Sequence, residues 1–133
     1  KITDKTKAIV IVHLFGLPSK IDELVRIAKK YNLKILEDAS HAHGAVYKGK
    51  PIGSFGDVSV FSFDPMKNMP SFGAGGMVLT DSKDVYDTVM SLRRHGLNGK
   101  TQYGYNSLIS EDHANQLLLV LSKFDKLQKM RKF

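Results

Sequence analysis

Two short segments carry side chains whose types and spacing could support the chemistry of a bound cofactor. The segment Glu37-Asp-Ala-Ser-His-Ala-His-Gly44 places a carboxylate, Asp38, and two histidines directly after an apolar run. The segment Val58 to Val78 places one lysine, Lys67, between a β-type run that ends before Pro65 and a second apolar run. A loop lysine by itself is usually a solvated charge. An amine and a carboxylate that each follow a strand predict a shared site, because ligands of parallel sheets collect at the carboxyl ends of the strands.

Pyridoxal phosphate (PLP) is the cofactor that suits this pair of side chains. The ε-amine of Lys67 would form a Schiff base with the cofactor aldehyde and would later act as the acid and base that moves the substrate proton. Asp38 would pair with the pyridine nitrogen and keep it protonated, so that the ring accepts electrons.

Other residues near these two segments have types that fit the same cofactor. Ser62, five residues before Lys67, could bind the phosphate, and His41, three residues after Asp38, would stand beside the ring. The glycines between Gly73 and Gly76 would let the backbone turn closely around the lysine. Taken singly, each has an ordinary explanation: a loop cap for Asp38, a strand hydroxyl for Ser62 and a loop histidine for His41. The functional interpretation depends on the combination.

The elements that must position these residues are typical of an α/β protein. Ala8 to Leu14 is almost continuously apolar, as expected for a strand that is covered on both faces. A helix should follow with Ser19 as N-cap and Asp22 in the capping-box position, and should end near Asn32. The short apolar run Leu33 to Glu37 then completes a βαβ unit with parallel strands.

The remaining chain predicts an irregular excursion, two strands around Lys67 and two helices. Residues 38–57 should be irregular, with a short hairpin at Tyr47-Lys-Gly-Lys50. Strands are predicted at Val58 to Phe63 and Met77 to Thr80, and a helix should run from Asp81 or Ser82 to about Arg94. A last helix should start at Ser110, and its apolar stretch Leu117 to Leu121 should be buried on more than one side.

Composition limits the classes of protein that need to be considered. The 133 residues, 42% of them hydrophobic, suffice for one domain with a core. The absence of cysteine removes disulfide and thiolate chemistry and fits a reducing compartment, so we expect a cytoplasmic protein. No apolar run reaches the length of a membrane span. Because the sequence opens on Lys1 and a polar segment directly before a strand, we expect part of a longer protein.

The net charge of +7 leaves a nucleic-acid-binding module open as an alternative. Five cations and one acid lie between Lys123 and Phe133. Steeply salt-dependent binding to DNA or RNA that is lost on deleting this tail would support the alternative. No nucleic-acid-binding motif accompanies the cations, and cations at the end of a helix also complement its dipole. We therefore favour a cofactor-binding protein over a nucleic-acid-binding module.

Several motifs, in order along the chain, resemble those of the DegT-type nucleotide-sugar aminotransferases, which are PLP enzymes of fold type I. The motifs are Val12–Gly16, Glu37–Ala45, Gly53–Asp57, Phe61–Asn68, Gly73–Gly76, Arg94–Gly96 and Gly104–Ser107. The similarity covers essentially all 133 residues. It implies a mostly parallel sheet with flanking helices in which the strand after Lys67 runs antiparallel.

The resemblance also implies roles for individual residues. Lys67 would be the Schiff-base lysine, Asp38 the partner of the pyridinium and Ser62 a phosphate ligand. His41 stands where the family usually has Gln, near the ring hydroxyl of the cofactor. Asn106 matches a residue that reaches the cofactor phosphate of the other subunit in a homodimer. Some relatives carry His in place of the lysine and act as dehydratases, and Lys67 argues against that branch.

The resemblance places residues 1–133 in the central part of the large domain of such an enzyme. The last helix, about 110–133, would lead toward a C-terminal domain, and an N-terminal portion with a phosphate loop would precede the chain. Two departures affect the substrate and subunit contacts: Leu108 stands where the family commonly has Arg, and Asp112-His-Ala-Asn115 replaces a Leu-Gln-Ala-like helix start.

The activity that the resemblance implies is transfer of an amino group, with glutamate as donor, to a keto carbon of a nucleotide-linked sugar, in polysaccharide biosynthesis. The full-length enzyme would be a homodimer. A non-catalytic fragment that folds or associates with other chains without binding cofactor is the main alternative.

Overall fold

The first three elements form the expected βαβ unit. In the computed structural model, which describes residues 1–97 and 99–131, β1 (Ala8–Val12), α1 (Ile21–Lys30) and β2 (Lys34–Asp38) follow one another, and the two strands pair in parallel. A short 3₁₀ turn, Leu14–Gly16, links β1 to the segment before α1. Buried side chains between α1 and the strands form one of the two apolar clusters, made of Ile11, Ala28 and Ile35.

The remaining strands form a separate hairpin and complete one mixed four-stranded sheet. Between β2 and the next long strand lies a two-stranded hairpin of β3 (Val46–Tyr47) and β4 (Lys50–Pro51). The main sheet continues with β5 (Val58–Ser62), parallel to β2, and β6 (Gly76–Leu79), antiparallel to β5, in the order β1-β2-β5-β6. The expected mostly parallel α/β sheet with an antiparallel strand after Lys67 is therefore confirmed.

The hairpin has the two-residue turn that its sequence predicts. Lys48 and Gly49 both have positive φ angles, 49° and 83°, as a type I′ turn requires. Lys48 also binds Asp22 of α1 through its ammonium group at 2.7 Å, and the Tyr47 hydroxyl donates to the same carboxylate. These contacts hold the hairpin against α1.

Two helices complete the described structure. α2 (Lys83–Leu92) has Ser82 as N-cap, and its side chain accepts a hydrogen bond from the Val85 N–H. α3 (Glu111–Arg131) begins directly after Ser110 as expected; residues 132 and 133 of the predicted helix lie outside the described residues. Of the described helices, none is long and apolar enough to cross a membrane.

The predicted N-cap of α1 is wrong. The helix has Lys20 as N-cap, without a side-chain hydrogen bond. The Ser19 hydroxyl instead donates to the Val12 carbonyl at 2.7 Å, and the Asp22 carboxylate binds the hairpin. Both side chains that suit a capping box therefore bind other segments, which only the tertiary structure brings close.

The expected burial of two apolar segments is also wrong for the described chain. β1 packs against α1 through Ile9 and Ile11, but the opposite face is open, with Val10 60% and Val12 47% exposed. In α3, Leu117 is buried, whereas Leu118, Leu119 and Leu121 are more than half exposed. The described residues cover these apolar side chains only in part, which is why the sequence pattern overestimates their burial.

Candidate cofactor site

The edge of the sheet at the carboxyl ends of β2 and β5 brings two of the predicted residues onto one face. Asp38 is the last residue of β2 and lies beside Val60 in the register, and Ser62 ends β5 two residues further on. Because side chains alternate along a strand, Asp38, Val60 and Ser62 all point to the same side of the sheet. That side is the one opposite α1.

Asp38 is held in its charged form. Its pKa is lowered chiefly by the Ser40 hydroxyl, and further by the Ser40 backbone N–H, which donates to Oδ1 at 3.0 Å. The positive charges of His41 and Lys67 lower the pKa in the same direction, while partial burial opposes them. Among the described residues, no side chain forms an ion pair with Asp38, so the carboxylate remains available to a ligand.

Lys67 projects from the loop after β5 with its amine unpaired. Its backbone N–H donates to the Asp64 carbonyl at 2.9 Å, and the neighbouring Asn68 carbonyl accepts from Arg131 of α3 at 3.0 Å. Its side chain is half-buried although the flanking residues are exposed. In the part of the chain that the structure describes, the ammonium makes no hydrogen bond or salt bridge, yet its charge lowers the pKa of Asp38.

His41 lies close enough to Asp38 for its charge to act on that carboxylate. Its Nδ1 accepts a long hydrogen bond, 3.4 Å, from the Phe15 backbone N–H, and the two rings stack with centroids 5.7 Å apart and planes 21° apart. Phe15 adopts φ 54°, which is uncommon for an aromatic residue, and its ring is otherwise exposed. The 3₁₀ turn after β1 therefore borders the site.

His43 is a buried imidazole behind Ser62. It is 6% exposed, and its ring lies 5.3 Å from that of Phe61 and 5.9 Å from that of Phe63. Burial lowers its pKa, while the nearby Ser62 carbonyl favours the charged form without making a hydrogen bond of normal geometry. Neither ring nitrogen has a partner among the described residues, so this neutral histidine is an unsatisfied polar group beside Lys67.

Ser62 and Asn106 differ in their relation to this cluster. The Ser62 Oγ accepts from the Asp64 N–H at 3.3 Å. Among the described residues, the hydroxyl donates no hydrogen bond, so it can donate to an anion. Asn106 is exposed and forms an isolated antiparallel bridge with Arg94, next to the C-terminal end of α2. Among the described residues, it forms no hydrogen bond with the other predicted site residues.

The glycine cluster after Lys67 serves packing rather than a tight turn around the lysine. A Cβ on Gly73 would lie 2.6 Å from His113 of α3, one on Gly75 would lie 3.0 Å from Ile109, and one on Gly76 would lie 2.9 Å from the Phe61 carbonyl. None of the three has a positive φ. The expected reason for these glycines is therefore corrected: they allow the loop to approach β5 and the start of α3.

Sequence reasoning missed a buried polar pair beneath the site, His13 and Glu37. Both side chains are fully buried, and His13 Nε2 lies 3.3 Å from Glu37 Oε2. The Glu37 carboxylate also accepts three backbone N–H hydrogen bonds at 2.7–2.9 Å, from Gly53, Phe55 and Gly56. The sequence contained a signal for this pair. Alternation along β2 puts Glu37 on the same face as the buried Ile35, and a buried carboxylate needs hydrogen-bond donors from the protein.

The chain is similar to enzymes that make amino sugars. It matches the DegT/DnrJ/EryC1/StrS aminotransferase family over residues 1–133. It is 46% identical over 111 residues to the GDP-perosamine synthase of Escherichia coli O157:H7, covering 80% of this chain and 30% of that enzyme. It is 42% identical over 128 residues to the dTDP-3-amino-3,6-dideoxy-alpha-D-galactopyranose transaminase of Aneurinibacillus thermoaerophilus, covering 94% of this chain and 35% of the relative.

Solved structures show the same fold. DesV of S. venezuelae, in complex with a ketimine intermediate, superposes with a TM-score of 0.87 at 39% identity, over 94% of this chain and 34% of DesV. The E. coli GDP-4-keto-6-deoxy-D-mannose-3-dehydratase with bound hydrated PLP gives a TM-score of 0.84 at 26% identity, over 94% of this chain and 38% of that structure. The chain spans about a third of the length of the relatives it matches. The match over all 133 residues, together with these relatives, shows that the chain belongs to the DegT/DnrJ/EryC1/StrS aminotransferase family.

Proposed function

We propose that this chain supplies the central part of the cofactor site of a PLP-dependent aminotransferase that acts on a keto sugar linked to a nucleotide. One observation carries the proposal: Asp38 and Ser62 point to the same side of the sheet at the carboxyl ends of β2 and β5, and the loop after β5 presents Lys67, whose charge acts on Asp38. Two opposite charges that are near each other but form no ion pair leave room for a ligand that binds both.

The donor set fits PLP. Asp38 is ionised and forms no ion pair among the described residues, so its charge is available to a protonated pyridine nitrogen. Ser62 has a hydroxyl proton to donate to a phosphate oxygen, and the buried His43 offers ring nitrogens without a protein partner. When bound, PLP supplies an aldehyde that amines attack and a ring that accepts electrons from the substrate carbon.

The residues of this chain would hold and protonate the reacting groups. Lys67 would first hold the aldehyde carbon through its amine, and the incoming substrate amine would then release it. The freed amine, half-buried and without another partner, would carry the proton between substrate and cofactor. Asp38 would keep the pyridine nitrogen protonated throughout, and Ser62 would fix the phosphate.

The names of the relatives support the proposed substrate class. Their names contain GDP-, dTDP- and UDP-linked amino sugars. We propose glutamate as the amino donor and a cytoplasmic homodimer as the working enzyme, in which Asn106 reaches the cofactor phosphate of the partner subunit. Its exposed position beside the end of α2 supports that arrangement.

Borohydride reduction in the presence of PLP tests the proposal. The expected result is a stable adduct on Lys67, located by mass spectrometry of proteolytic peptides. Lys67→Arg keeps the positive charge but cannot form the adduct. The matched control is Lys83→Arg, in an exposed ion pair on α2, and this variant should still form the adduct on Lys67. A folded wild-type chain without an adduct would favour the non-catalytic alternative.

A further inference from the structure

A hydrogen-bonded network fixes the ends of the first two strands from below the candidate site. The His13 backbone N–H donates to the Asp38 carbonyl at 3.1 Å, and the His13 ring lies against the Glu37 carboxylate. The other ring nitrogen, Nδ1, accepts from the Ser19 backbone N–H at 3.2 Å. His13 therefore contacts both the strand end that carries Asp38 and the segment that leads into α1.

The orientation of the His13 ring can be assigned from these partners. Since Nδ1 accepts from Ser19, the neutral ring carries its proton on Nε2, and that N–H donates to Glu37. Glu37 in turn binds backbone N–H groups of the segment that precedes β5. The Glu37 side chain thus joins His13, at the end of β1, to the segment that precedes β5, the strand that carries Ser62.

The network acts from the face opposite the site. Glu37 points toward the α1 side of the sheet, and the next residue, Asp38, points to the other side. A carboxylate that accepts four hydrogen bonds at full burial has little freedom to move. Fixing Glu37 therefore fixes the backbone from which the Asp38 carboxylate projects.

We propose that His13 is a positioning residue of the cofactor site, which it serves by donating its Nε2–H to Glu37 and so holding Asp38 in place. This inference rests on the proposed function, because the effect of His13 is measured as the affinity of the site for PLP. His13 contacts neither Asp38's carboxylate nor Lys67, so it acts through Glu37 and through the backbone.

Two substitutions separate this role from general stabilisation. In His13→Gln, the amide nitrogen reaches the place of Nε2 and keeps the donor to Glu37, whereas in His13→Asn the shorter side chain reaches only the place of Nδ1. Each variant keeps one of the two ring contacts, so both should lose a similar amount of thermal stability. Only His13→Asn should weaken PLP binding, by about tenfold, because the displaced Asp38 carboxylate would lose about one hydrogen bond's worth of its interaction with the cofactor.

The measurement is a PLP titration of the 133-residue chain, followed by the visible absorbance of the bound cofactor. Amide hydrogen exchange without cofactor is measured on the same samples. His13→Asn should speed exchange of the Ser40 amide, which donates to Asp38, and His13→Gln should not. If the wild type binds no PLP, the proposed function fails for this chain, and the exchange data still decide the positioning role.

Equal effects of the two variants on exchange at Ser40, or a larger effect of His13→Gln, would overturn the inference. If either variant does not fold, the ¹⁵N spectrum of the wild-type imidazole decides instead. The expected spectrum has a protonated Nε2 and an unprotonated Nδ1 on His13. A proton on Nδ1 would contradict the assigned hydrogen bonds and with them the proposed role.

Discussion

Replacing Glu37 by Gln should destabilise the fold strongly although the two side chains have nearly the same shape. The carboxylate accepts from Phe55 and Gly56 on one oxygen and from Gly53 and His13 on the other. A Gln has one carbonyl oxygen and one NH₂ group. Whichever way the amide turns, the NH₂ faces two donors, and both of those donors lose their acceptor at full burial.

The size of this loss follows from the number of broken hydrogen bonds. Each donor left unsatisfied in the interior costs about 1–3 kcal/mol, so two of them cost about 4 kcal/mol. That is a large fraction of the roughly 5–15 kcal/mol by which a domain is stable. For a chain of this length the melting temperature should fall by about 15 °C.

Thermal and urea denaturation followed by circular dichroism measure the effect. Glu23→Gln is the matched control, because Glu23 is exposed on α1 and forms only a long surface ion pair with Lys20, 3.7 Å; its replacement should change stability by less than about 0.5 kcal/mol. A Glu37→Gln variant within about 1 kcal/mol of the wild type would refute the reasoning that the carboxylate is needed as a four-fold acceptor.

Three further predictions follow from local geometry. Gly53→Ala should lower the free energy of unfolding in denaturant by about 3 kcal/mol, because φ is 93° and the new Cβ would lie 2.7 Å from an aromatic carbon of β5. In the control Gly49→Ala, φ is 83° but the new Cβ meets open space, so the loss should be about 2 kcal/mol smaller. Equal losses in the two variants would show that the close contact at Gly53 contributes nothing. Ser40→Ala should raise the pKa of Asp38, because the Ser40 hydroxyl is the main group that lowers it. The Asp38 carboxylate of the variant should therefore lose its charge at a higher pH than in the wild type. NMR titration of the Asp38 carboxyl carbon measures this pKa, and an unchanged midpoint would contradict the assigned cause. Leu117→Ala should cost about 2–4 kcal/mol in the same unfolding assay, as for other buried leucines, and a loss below about 1 kcal/mol would show that the contact with α3 contributes little.

The pattern of apolar runs predicted most of the described fold. The parallel pairing of Ala8–Val12 with Lys34–Asp38, the hairpin at residues 47–50 and the strands on either side of Lys67 are all confirmed. These features depend on local periodicity and on turn residues, which the sequence displays directly. The roles of Lys67, Asp38, His41, Ser62 and Asn106 toward a cofactor stay predictions. The structure puts Asp38 and Ser62 on one face of the sheet, and the charges of His41 and Lys67 act on Asp38. Asn106 lies exposed beside the end of α2.

The sequence by itself determined which chemical groups follow the ends of the strands, because the order of apolar runs and loops assigns Asp38, Ser62 and Lys67 to one edge of a parallel sheet. Only the tertiary structure decided what binds the polar groups nearby. Ser19 binds the end of β1 instead of capping α1, and Glu37 binds backbone groups 16 to 19 residues further along the chain. Periodicity reports which face of an element a residue occupies, but a buried polar group is satisfied by partners from distant segments, which only folding brings within hydrogen-bonding distance.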